Sequence, residues 1–120
     1  YIMRIKEFYN AAGGSYDAVI QRLPSNELIG EFLQKFLSDP SYAELMKARD
    51  NNDVHSAFLA AHTLKGLAAT LGLDMLADAA GALTEALRSK SALPPDSVFE
   101  AVASAYAQAV TQIAALRKQD

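Results

Sequence analysis

Apolar residues in this 120-residue chain return at intervals of three and four, and no stretch alternates with the period of two that a half-buried strand requires. Valine, isoleucine and threonine never cluster. A chain patterned in this way buries its apolar side chains along helix stripes, so the expected fold class is all-α.

Turn residues divide the pattern. Residues 2–10 carry Ile2, Ile5, Phe8 and Tyr9 at helical spacing, and Gly13-Gly14 ends the piece. Tyr16, Val19, Ile20 and Leu23 mark a second helix that Pro24 closes. Ser25 can cap a third, with Glu27 in its first turn, which runs through Leu28, Ile29, Phe32, Leu33, Phe36 and Leu37 to Ser38-Asp39-Pro40. Pro40 suits the first turn of a fourth, carrying Tyr42, Leu45, Met46 and Arg49 and stopped by Asn51-Asn52. Asn52 or Asp53 then caps a fifth that ends at Gly72, a position where a left-handed residue is usual. Asp74 is expected to cap the sixth, whose seam is Leu76, Ala80, Leu83 and Leu87 and which dies out in Ser89-Lys90-Ser91. Pro94-Pro95-Asp96 launches the last and longest, with a seam of Val102, Tyr106, Ala109, Ile113 and Leu116 and a basic end at Arg117-Lys118.

Short connections oblige neighbouring helices to pack side by side. The last four segments therefore predict an antiparallel up-down-up-down four-helix bundle over residues 39–118. The N-terminal pieces, residues 1–38, read as too short for bundle members and are expected to cap one end of a single domain, 1–120. Abundant alanine suits close helix approach.

The fifth segment, 53–72, sorts into two unlike faces. Ala57, Ala60, Leu64, Leu67, Ala68 and Leu71 form an unbroken apolar strip. The other face carries His55, Phe58, Leu59, His62, Lys65, Gly66 and Ala69. Familiar catalytic patterns are absent: there is no glycine-rich phosphate loop, nucleophile elbow, cysteine, His-Glu-x-x-His, or Glu-x-x-His pair of the di-iron kind. No metal site and no cofactor is expected. A neutral imidazole, with a reference pKa near 6.5, is a competent nucleophile without an activating base. Lys65, one turn beyond His62, is placed to neutralise an incoming anion such as a phosphoryl group. A glycine within a helix costs about 0.5–1 kcal/mol relative to alanine, so Gly66 suggests that something approaches the backbone there. The residues alone equally allow His62 to be an ordinary surface or half-buried histidine, Lys65 a solvated lysine and Gly66 the filler of a tight helix crossing. His55 reads as a surface histidine near a helix start.

The formal charge of −3, with acidic and basic residues interspersed, gives no footprint for nucleic acid and directs attention to a protein partner. Apolar runs fall far short of the roughly 18 residues needed to span a bilayer, and Tyr1-Ile2-Met3-Arg4 lacks a signal-peptide layout. A cytoplasmic protein is expected. No seam is left over once the bundle is assembled, so it is expected to be a monomer.

The run His62-Thr63-Leu64-Lys65-Gly66, followed by Ala68-Ala69, Leu71-Gly72, Leu76 and Leu83-Thr84-Glu85, resembles the histidine-containing phosphotransfer (HPt) domains of two-component phosphorelays. The resemblance is sharpest over residues 61–87. It implies a carrier rather than an enzyme: His62 takes a phosphoryl group from the aspartyl phosphate of a response-regulator receiver domain and passes it to another receiver. Lys65 would lie beside the phosphoryl oxygens, Gly66 would leave room for the docked partner, and Mg²⁺ would belong to the receiver. Phe58, Leu59 and Ala69 on the His62 face, and Gly81, Thr84 and Arg88 on one flank of the next helix with Ala77, would complete the docking surface. Core burial is the competing account of Phe58 and Leu59. Some members of the family carry a glutamine at about the position of Thr84; threonine is too short for the same direct contact with His62, which leaves a bridging water, a lost role, or an ordinary helix-surface threonine as the readings of Thr84. A hybrid histidine kinase is a further partner the resemblance implies, and two other readings stay open: a helical interaction module that has lost phosphoryl transfer, and the substrate domain of a histidine kinase.

Overall fold

The structure, a computed structural model, describes residues 4–12 and 14–116. They form seven α-helices: α1 (Ile5–Ala12), α2 (Tyr16–Arg22), α3 (Asn26–Phe36), α4 (Ser41–Asp50), α5 (Val54–Thr70), α6 (Asp74–Leu87) and α7 (Asp96–Ala114), with no strand among the described residues. Ile2, Gly13 and the basic Arg117-Lys118 end lie outside the described residues.

Local chemistry sets the helix ends. Ser15, Ser25 and Asp53 each accept a hydrogen bond from a backbone N–H of the first turn, at 3.3, 3.1 and 3.1 Å, and the bonds from Ser56 hold the Asp53 carboxyl below its ordinary range. At the end of α4, Asn52 is left-handed (φ 54°), and Asn52 and Asp53 donate back to the Arg49 and Ala48 carbonyls. Gly72 does the same after α5 (φ 70°), with Gly72 and Leu73 donating to Ala69 and Ala68. Both ends thus close by the paired back-bonds of a Schellman turn. Two expected starts differ. Leu73, not Asp74, is the cap position of α6, and Asp74 is its first residue, where its charge still favours the helix dipole. Pro40 sits just before α4, and Asp39 Oδ1 accepts from the Ser41 N–H at 2.8 Å.

Packing follows from small side chains. The buried face of α5 is Ala57, Ala60, Ala61, Leu64 and Ala68, and α5 packs against α4 on one side and α6 on the other. Leu76, Ala80, Leu83 and Leu87 of α6 meet α5 and α7, and Phe99, Val102, Ala105, Ala109 and Ile113 of α7 close the core. Between α4 and α7, Tyr42 stacks on Tyr106 with ring centroids 3.9 Å apart, and Arg49 approaches Asp96 at 3.7 Å. Tyr106, read as part of the α7 seam, is thus only half-buried. Length does not separate α3, with 11 residues, from α4, with 10.

α1 and α2 meet the α5–α6 turn. The Tyr9 hydroxyl donates to the Leu71 carbonyl at 2.6 Å, and the Arg22 guanidinium donates to Ala69 and Thr70 carbonyls at 3.0–3.2 Å. These are the carbonyls that a helix C-terminus leaves without intrahelical partners, and a cation there also complements the dipole. Burial pushes the Tyr9 hydroxyl pKa well above its ordinary value of 10.0; Asp74 adds to this and Arg22 opposes it. Tyr9 stays protonated in the fold while the unfolded chain ionises, so its contribution is full below about pH 10 and is lost as the pH rises from there toward the higher folded value. Denaturant titrations at pH 8 and pH 11 check this: the native chain is expected to lose more stability between them than Tyr9→Phe, which at pH 8 should already be weaker by about 1–2 kcal/mol because Leu71 loses its donor. An equal pH dependence in both proteins would exclude Tyr9 as the titrating group.

Candidate functional site

Midway along α5, buried Ala60, Ala61 and Leu64 turn the residues between them outward. His62, Lys65, Gly66 and Ala69 are exposed, and Leu59 is 50 % exposed. His62 therefore rides on a helix anchored along its opposite face. α5 and α6 form a hairpin about Gly72, so positions approaching each other sum to a constant: Lys65 lies beside Gly81, and Phe58 beside Arg88.

Each neighbour has a definite contact. The Phe58 ring, one turn before His62, is nearly parallel to the imidazole, with an interplanar angle of 11° and centroids 6.1 Å apart. The Arg88 guanidinium sits 5.2 Å from the centre of the Phe58 ring. Arg88 is also gripped by Glu85 through two parallel bonds, Nε to Oε1 at 3.1 Å and Nη2 to Oε2 at 2.9 Å. The Lys65 alkyl stem crosses Gly81, where a methyl group would touch it at 3.6 Å. Lys65 makes no ion pair among the described residues. Gly66 opens to free space: a side chain there would meet nothing within 4 Å.

Residues of α5 line two hollows. One, between α4 and α5, is lined by Glu44, Lys47, Leu59 and Thr63; the other, toward α6, by His55, Phe58, Arg88 and Lys90. His55 is exposed near the start of α5, as read from the sequence.

Thr84 requires a correction. It is fully buried, and its hydroxyl donates to the Ala80 carbonyl at 2.7 Å. It is neither surface nor docking residue, because α6 is covered by α5 and α7 at once and the arc buried is wider than the Leu76-Ala80-Leu83-Leu87 seam. Phe58 is half-buried, between the two accounts offered for it, and Leu59 is exposed. Gly81 and Ala77 are half-buried, and Gly81 is occupied by the Lys65 stem. Glu85 was not singled out as a site residue, although its spacing from Arg88 is that of an i,i+3 ion pair. Arg88 holds the Glu85 carboxyl below its usual range through the hydrogen bond, and Lys65 and His62 lower it further.

The arrangement offers one exposed nucleophile and one adjacent cation. Among the described residues no group of three or more His, Asp or Glu is arranged to hold a metal ion, and no helix is long and apolar enough to cross a membrane.

Comparison with known families identifies the class to which this helical scaffold belongs. The family model of the Hpt domain matches residues 27–118, from α3 to beyond α7, and the chain belongs to that family. Hpt domains act in phosphotransfer in two-component signalling, where they are carriers, generally not enzymes, and interact with receiver domains and histidine kinases. No curated protein and no solved structure matches the chain.

Proposed function

We propose that His62 is the phosphoacceptor of a phosphorelay carrier, taking a phosphoryl group from a receiver aspartyl phosphate and delivering it to the aspartate of another receiver. The outer ring nitrogen, Nε2, attacks phosphorus in line; the bond from phosphorus to the aspartyl oxygen breaks, and its electron pair leaves on the carboxylate. The return step reverses these roles. The receiver supplies Mg²⁺. Phosphoryl transfer needs mainly positioning and charge neutralisation, so a nucleophile on a braced helix with the Lys65 ammonium one turn away is sufficient on this side of the complex. The observation that carries the reading is His62 exposed on α5, beside an unpaired Lys65 and an unobstructed Gly66. Leu59, Gly66 and Ala69 would meet the receiver. In the same reading α4–α7 are the antiparallel four-helix bundle, residues 39–118, and the segment 1–38 caps one end.

The test is incubation of the chain with phosphorylated receivers and Mg²⁺, followed by assay for acid-labile, base-stable phosphate on His62. Label there supports the carrier. Receiver binding without label from any donor would favour an interaction module, and label arising only with ATP and a kinase core would favour a kinase substrate domain.

Gly66→Leu separates docking from folding. Open space at Gly66 means the substitution is accommodated, and leucine is the better helix former, so stability should rise by about 0.5–1 kcal/mol. Transfer from the receiver should nevertheless fall by roughly tenfold or more, because the side chain occupies the docking surface. Unimpaired transfer would remove Gly66 from the interface.

A further inference from the structure

We infer that Glu85 is a positioning residue for His62: by gripping Arg88 with both carboxylate oxygens it holds the guanidinium over Phe58, and so fixes the ring against which the imidazole lies. The inference rests on the carrier reading and deepens it, by assigning to α6 a part in aiming the nucleophile.

Four side chains form the relay, and each link is a contact in the structure. Glu85 and Arg88 make a two-pronged pair, the geometry in which a planar guanidinium is most constrained. Arg88 lies 5.2 Å from the Phe58 ring centre, within the range of a cation–π contact. Phe58 and His62 are near-parallel at 6.1 Å, within the range of offset aromatic pairs. Glu85 is on α6, Arg88 is the residue just past its C-terminal end, and Phe58 and His62 are on α5, so the relay crosses the hairpin.

The imidazole needs such help. An exposed histidine samples several rotamers about its side-chain bonds, and only those aiming Nε2 along the line of attack are productive. No described protein group hydrogen-bonds the His62 ring, so the parallel Phe58 ring is the contact that biases it. Phe58 is half-buried, packed against the core, with the Arg88 guanidinium lying over its ring.

Arg88 performs a second service through the same bond. The Glu85 carboxylate is close enough to Lys65 and His62 to feel both. Released, it would compete for the Lys65 ammonium and repel an arriving phosphoryl group; paired with Arg88, its charge is neutralised.

The test uses the full chain and two readouts. In the free protein, nuclear magnetic resonance reads the His62 ring protons, whose shifts report the ring current of Phe58, with Phe58→Leu marking the unstacked positions. Glu85→Gln, an exposed isosteric change, is expected to move these resonances toward the Phe58→Leu positions. The same variant should lower the kcat of receiver-driven transfer roughly three- to tenfold with little change in KM. Arg88→Lys, which keeps the charge and loses the fork, should fall between. His62 resonances left at their native positions in Glu85→Gln would overturn the inference, as would a raised KM with kcat intact, which would make Glu85 a docking residue instead. If the native chain takes no phosphoryl group from any receiver, the carrier reading fails, and the resonance measurement still decides whether Glu85 aims the ring.

Discussion

His62→Gln is expected to remove phosphoryl uptake altogether while leaving the fold where it was. Glutamine offers no nucleophilic ring nitrogen, and no second histidine shares the site: His55 lies near the start of α5, almost two turns away. The loss in receiver-driven labelling should therefore reach the detection limit. Stability should change by no more than about 0.5 kcal/mol, since surface substitutions that break no cap or core contact rarely do more, and His62 is exposed with its backbone inside an intact helix. Labelling and urea denaturation of the same preparation check both halves. Persistent label would move the acceptor elsewhere, and a marked loss of stability would show the imidazole to be a packing residue.

Gly72→Val is expected to damage the fold more than any change at the surface site. Gly72 is left-handed, which costs a side-chain-bearing residue about 1–2 kcal/mol. A Cβ there would also overlap the Val19 Cγ2 methyl and crowd the Tyr9 ring at 3.1 Å, and overpacking a fixed interior typically adds about 1–3 kcal/mol. The combined loss, about 2–5 kcal/mol, is a large part of the stability of a domain this size. Urea unfolding at neutral pH measures it. A loss below about 1 kcal/mol would mean that α2 yields easily and that its contact with the α5–α6 turn is loose.

Helix positions were legible because each depends on neighbours in sequence: Ser15, Ser25 and Asp53 bond to residues three ahead, and Asn52 and Gly72 end helices by bonds within a turn. The outward face of α5 was legible for the same reason, since Ala57, Ala60 and Leu64 fix its rotation and leave His62 and Lys65 outside. Thr84 was misplaced because a seam gives the direction of a buried face and not its width, which depends on how many helices lie against it. The Phe58-Arg88 contact depends on where α5 and α6 sit across the hairpin, and the seam alone does not supply that register. The bonds from Arg22 to Ala69 and Thr70 span 47 and 48 residues, and no local pattern foretells them.

Those long-range bonds bear on how the domain can be moved between proteins. The family match begins at residue 27, and α1 and α2 precede it. A graft trimmed to the matched segment would carry His62 and every neighbour discussed, yet it would leave behind the Tyr9 and Arg22 donors and expose the far end of α5 to solvent. Fraying from that end travels toward Gly66, one turn before Thr70. The transplantable unit accordingly includes two helices that carry none of the chemistry, and a chimera built without them would lose amide-exchange protection first in the last turn of the helix that bears the histidine.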